Sequence, residues 1–107
     1  MKIAYQDKEL EDFVSDKRKA GNKFKKYAKN KDFYERLVKV FQILVSATCT
    51  EELRDFSFLH YEQLKYKNIS SVRIGNNYVE RLLFKEIENG IEIIVIELDD
   101  THYGNKK

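Results

Sequence analysis

The chain has 107 residues, 42% of them hydrophobic and 36% charged, with a formal net charge of +2. That length suits one domain with a modest core, and the composition excludes a disordered or fibrous chain. The single cysteine, Cys49, excludes an internal disulfide and leaves too few thiols for a structural zinc site.

Lys2 to Tyr5 is a strand candidate, with Ile3 and Tyr5 alternating against Lys2 and Ala4. Asp7 is placed to cap a first helix in which Leu10, Phe13 and Val14 form an i, i+3, i+4 stripe, and Gly21-Asn22 is the expected stop. The segment from Lys17 to Lys31 holds eight basic residues and no acid, and reads as a loop or frayed helix. From Lys31 to Ala47 the period is helical, with Tyr34, Leu37, Val38, Phe41, Leu44 and Val45 on one face. Thr50 to Leu53 reads as a capped turn, and Phe56, Phe58 and Leu59 as an extended connection.

The period then changes to two. Strands are expected over Ile69 to Ile74, Tyr78 to Glu88 and Ile91 to Leu98. Asn89-Gly90 joins the last two in a type I′ hairpin, because both residues tolerate the positive φ that turn needs. The last strand is nearly continuous in apolar character, which predicts a position covered on both faces. The expected fold is α+β in the order βααβββ. An N-terminal strand and two helices pack on a C-terminal three-stranded antiparallel sheet, and residues 1–107 make a single domain. The first ten residues lack the apolar run of a secretory signal and no stretch is long enough to span a bilayer, so no membrane partner is expected and the expected location is cytoplasmic.

A two-residue turn sets a register. Glu88 pairs with Ile91, Lys85 with Ile94, Leu83 with Ile96 and Arg81 with Leu98. Arg81 then shares a face with Asp100, roughly 7–8 Å away on the diagonal, and Arg73 joins that face if its own register agrees. The same end of the sheet receives Asp99-Asp100-Thr101-His102-Tyr103. A guanidinium, a carboxylate, an imidazole and a phenol are gathered there without metal-ligand spacing. Against this stand plainer readings. An Arg–Asp pair is most often a surface ion pair worth under ~1 kcal/mol, a charged terminal run is most often a solvated tail, and a basic run is usually a solvated face.

The order of elements resembles the RelE/ParE superfamily of bacterial toxin–antitoxin toxins. So does the run Ser71-Val72-Arg73-Ile74-Gly75-Asn76, followed by Arg81-Leu82-Leu83-Phe84, the Glu88-Asn89-Gly90 turn and an apolar last strand. Leu59-His60, a lysine shortly after at Lys65, and the terminal Asp99-Asp100-Thr101-His102 make the HigB branch the nearest. Two departures are visible. Thr101 stands where that branch has an aromatic residue, with Tyr103 one place beyond the histidine. The spacing from Leu59-His60 to the sheet is also longer, so either Lys65 or Lys67 matches the lysine.

The resemblance implies an endoribonuclease that cuts messenger RNA on the ribosome by attack of the substrate's own 2′-hydroxyl, with no metal and no cofactor. Such chemistry asks for a base, cations around the phosphorane and an acid for the leaving 5′-oxygen. The resemblance nominates His60, Arg81, Asp100 and His102 as catalytic. Arg81, backed by Arg73 and Lys65, would stabilise the phosphorane, and His60 and His102 would carry protons. Asp100 would act either as base or as the group orienting His102. Lys65, Lys67, Arg73, Tyr103, Lys23, Lys25 and Lys26 are expected on RNA, with Phe24 and Tyr27 interleaved among the lysines, and Tyr61, Tyr66 and Tyr78 as possible stacking platforms. The implied partners are a helix-turn-helix antitoxin, the ribosome and mRNA. Two alternatives stay open: a ParE-like inhibitor of DNA gyrase on the same scaffold, and a non-catalytic RNA- or protein-binding module.

Overall fold

The structure is a computed structural model that describes residues 1–64 and 68–100. Its elements are β1 (Lys2–Tyr5), α1 (Lys8–Ser15), α2 (Lys25–Ala28), α3 (Lys31–Ser46), β2 (Glu62–Leu64), β3 (Ile69–Arg73), β4 (Arg81–Ile87) and β5 (Glu92–Asp99). Short 3-10 turns at Lys17–Lys19, Asn22–Phe24, Thr50–Asp55 and Ser57–Leu59 fill the connections. No helix among the described residues is long and apolar enough to cross a membrane.

The strands form one mixed sheet in the order β1-β5-β4-β3-β2. β1 runs parallel to β5, pairing Lys2 with Glu92 and Tyr5 with Val95, and the other pairs are antiparallel. The expected three-stranded antiparallel sheet is therefore corrected to five strands. β1 joins its edge rather than standing apart, and the three-residue strand β2 extends the other side.

Local chemistry explains the helices. The Asp7 carboxylate accepts from the Glu9 N–H at 2.9 Å and caps α1, while the Asn30 side chain accepts from the Phe33 N–H at 3.0 Å and caps α3. α1 stops at Asp16, whose backbone is extended, well before Gly21. Leu10 and Phe13 of α1, and Phe33, Leu37, Val40, Phe41 and Leu44 of α3, pack into one core with Val72, Leu82, Phe84, Ile93 and Val95 of the sheet. Each fully buried Leu or Phe contributes about 1.5–3 kcal/mol. The stripe on α3 is rotated from the expected one: Phe33 and Val40 are buried, and Val45 is 59% exposed. The basic segment also differs from the expected loop. Phe24 and Tyr27 are buried core residues, stacked on Phe13 and Phe33, so neither ring is free for RNA.

Those core strand residues all lie on one face of the pleat. The other face carries Lys2, Ala4, Ile69, Ser71, Arg73, Arg81, Leu83, Lys85, Ile94 and Asp99 by register, and among the described residues the helices pack only against the first face. Leu83 is buried yet stands outside the main core, as its place on this second face requires. Among the described residues, β5 is thus covered by helices on one face, not both.

The hairpin forms at the expected place. Asn89 and Gly90 have φ of 60° and 87°, and the Ile91 N–H donates to the Glu88 carbonyl at 3.4 Å. The turn docks against the Thr50 turn, where the Thr50 N–H donates to the Gly90 carbonyl at 2.8 Å. A Cβ on Gly90 would collide with Thr50 Oγ1. Gly90→Ala should therefore destabilise the fold by about 2 kcal/mol, read by urea denaturation, because it combines a disfavoured φ with that clash.

Candidate RNA-binding face of the sheet

The expected hairpin register holds from Ile87↔Glu92 to Phe84↔Val95 and includes Lys85↔Ile94. It then shifts by one residue between Leu83 and Phe84, so Leu83 faces Glu97 and Arg81 faces Asp99. Ile96 is the extra residue of a β-bulge. A one-residue slip exchanges the faces of everything beyond it. Asp99, not Asp100, therefore stands across from Arg81.

Asp100 is turned to the helix side. Its carboxylate lies 3.4 Å from Lys26 Nζ, in a depression of about 210 Å³ shared with Asp7, Lys23 and Tyr27. The expected Arg81–Asp100 neighbourhood is corrected for that reason. The neighbouring Tyr27 hydroxyl donates to Glu80 at 2.9 Å, and burial together with that carboxylate pushes the phenol's pKa far up.

On the face away from the helices, Arg73, Arg81 and Asp99 are direct cross-strand partners on three adjacent strands. The next row is Glu62, Ser71, Leu83 and Glu97. Two arginines directly opposite each other repel, and such an arrangement persists only beside compensating anions. Those anions are present: Asp99 flanks Arg81 on one side, and Glu62 Oε1 lies 3.6 Å from Arg81 Nη1 on the other. Arg81 Nη1 also donates to Ser71 Oγ at 3.2 Å. Ser71 is fully buried, so this hydroxyl helps to hold the guanidinium in place. The row thus gathers two guanidinium groups, a buried hydroxyl and two carboxylates on neighbouring strands.

His60 sits two residues before Glu62, at the end of β2 nearest Arg73. It is exposed, and its backbone is left-handed at φ 47° and ψ 49°, ending the Ser57–Leu59 turn. A non-glycine residue there stores strain of the kind that accompanies functional positions. Of the lysines expected on RNA, Lys23 pairs with Asp7 at 2.6 Å and Lys26 with Asp100, whereas no carboxylate among the described residues pairs with Lys25. Lys65, Tyr66, Lys67, His102 and Tyr103 lie outside the described residues. Tyr61 and Tyr78 are half-buried, and their hydroxyls donate to Glu86 and Asp32. No group of three or more His, Cys, Asp or Glu side chains that could hold a metal ion occurs among the described residues.

Sequence reading missed Glu62, Ser71, Asp99 and Glu86. Glu86, on the core face of β4, accepts from Thr50 Oγ1 at 3.0 Å, Ser70 Oγ at 2.6 Å, Gln63 Nε2 at 3.3 Å and the Tyr61 hydroxyl. Burial alone would raise its pKa, but the hydrogen bonds donated by Ser70, Tyr61, Thr50 and Gln63 together hold the carboxyl below its ordinary value. A lowered folded pKa stabilises the fold above the unfolded value, about 4.3, and that contribution is lost as pH falls through the folded value. Urea unfolding of wild type should weaken more steeply than that of Glu86→Gln between about pH 5 and pH 3. His60→Gly should raise stability by about 0.5–1 kcal/mol in the same assay, by releasing the left-handed strain.

Comparison with known proteins adds no relative: no family model, no curated protein and no solved structure matches the chain.

Proposed function

We propose that this chain is an endoribonuclease that binds RNA along the face of its sheet opposite the helices and cleaves it by attack of the substrate's 2′-hydroxyl. The observation that carries the reading is the cross-strand pair Arg73–Arg81 on that face, with Arg81 held in place by buried Ser71. Two guanidinium groups about 5 Å apart at Cα suit the oxygens of one phosphodiester and the extra charge of its phosphorane. In the reaction the 2′-oxygen bonds to phosphorus, the bond to the 5′-oxygen breaks, and a 2′,3′-cyclic phosphate and a 5′-hydroxyl result. Protons pass from the 2′-hydroxyl to a base and from an acid to the leaving oxygen. His60 stands at the right end of the sheet for one of these roles, and the resemblance nominates His102 for the other. The chain would then be the toxin of a toxin–antitoxin pair, acting on mRNA at the ribosome and restrained by a helix-turn-helix antitoxin.

The basic segment supports the same reading. α2 lies beside the end of the sheet that carries the arginine row, because Lys26 reaches Asp100 and Tyr27 reaches Glu80, the residue before Arg81. Lysines there would add nonspecific phosphate contacts that weaken with salt.

A second reading, a non-catalytic RNA-binding module, is favoured by one observation: Asp100 is paired with Lys26 on the helix side, away from Arg81. Mapping of mRNA 5′ ends on translating ribosomes separates the two. Wild type should create new ends, Arg81→Ala should slow cutting by about a hundredfold or more, and gyrase supercoiling should be unaffected. Wild type that binds RNA and leaves it intact would sink the nuclease. Inhibited supercoiling with intact RNA would favour the gyrase reading instead.

A further inference from the structure

Arg81 already has an anion. Glu62 Oε1 lies 3.6 Å from its Nη1, and the two side chains differ sharply in exposure, 19% for Arg81 and 58% for Glu62. Glu62 projects from a three-residue strand at the sheet edge. Asp99, the other acid beside Arg81, is only 8% exposed and belongs to the ladder of the eight-residue strand β5. Of the two carboxylates, only Glu62 has a long side chain with room to swing away.

We propose that Glu62 is a resident anion on the Arg81 guanidinium, and that the ligand of this site is a phosphate group of a polynucleotide that takes the place Glu62 holds. The inference rests on the reading of the arginine row as a phosphate site, and it adds a built-in competitor. Ser71 keeps its hydrogen bond to Nη1 throughout, so the guanidinium stays oriented while its anion is exchanged. Glu62 thereby offsets part of the charge of the arginine row, and the affinity for phosphate is set below what two bare arginines would give.

The test is binding of inorganic phosphate and of a short single-stranded RNA to the full chain, followed by the Arg81 side-chain NMR signals. Glu62→Gln should bind both about fivefold tighter at low salt, the factor an exposed ion pair carries, and the gain should shrink at about 0.5 M salt. Glu92→Gln serves as the charge control. Glu92 is on the same face by register but at the opposite end of the sheet, so its loss should change affinity less than twofold. Equal gains in both variants, or no gain in Glu62→Gln, would overturn the inference. Glu62→Gln should still unfold in one cooperative transition with only a small drop in its midpoint, because the pair is partly exposed, which separates competition from misfolding. Phosphate binding requires no cleavage, so tighter binding by Glu62→Gln with intact RNA would remove the nuclease reading alone. Normal cleavage with unchanged phosphate affinity would remove the resident anion alone.

Discussion

The rest of this structure depends on α1 and α3 packing against the same face of the sheet. With α1 and α3 packed on one side, each strand residue has a definite destination, core or open face, and the choice alternates strictly along the chain. A single extra residue reverses that choice for all that follows. The bulge at Ile96 is such a residue, and it stands between the hairpin and the end of β5. It turns Asp99 toward Arg81 and sends Asp100 to Lys26, so the electrostatics of both faces are decided by one irregularity in one strand.

The open face reconciles two opposing demands. Placing Arg73 across from Arg81 concentrates positive charge where strands must pair, which disfavours the sheet. Asp99 and Glu62 relieve that repulsion, and Ser71 uses one donor of the fork without neutralising it. On the core face Glu86 does the reverse job. Its carboxylate collects hydroxyl and amide donors from the Thr50 turn, Tyr61, Gln63 and Ser70, and so ties the irregular segment between α3 and β2 to the sheet. The two faces use acids differently, one to balance charge and the other to join chain segments.

How much of this was legible in the sequence follows from how local each signal is. The Asp7 cap, the helical period through α3 and the Asn89-Gly90 turn are written in adjacent residues, and they place α1, α3 and the β4–β5 hairpin. The bulge left no such mark. Ile93, Ile94, Val95 and Ile96 are all apolar, so no change of parity is visible at the point where parity changes. Phe24 and Tyr27 were hidden by the lysines around them, although their i, i+3 spacing is that of a buried helical face. The five-stranded sheet was read as three because β1 joins it through a partner at the far end of the chain, and because Glu62-Gln63-Leu64 is too short and polar to announce a strand. The arginine pair was half legible: both residues were singled out, but their true acidic neighbours required the register.

The parallel contact of Lys2–Tyr5 with Glu92–Val95 has a consequence for biosynthesis. The first strand emerges from the ribosome well ahead of the strand it must join, with every other element of the fold made in between. The nascent protein can form α1 and α3 early, but it cannot close its sheet until β5 has been made, and closure over so long a loop is intrinsically slow. During that interval Ile3 and Tyr5 have no strand to lie against, and an unpaired extended segment invites association with neighbouring polypeptides. A late fastening of this kind makes the arrival of β5, rather than formation of the helices, the event that commits the domain to its final shape.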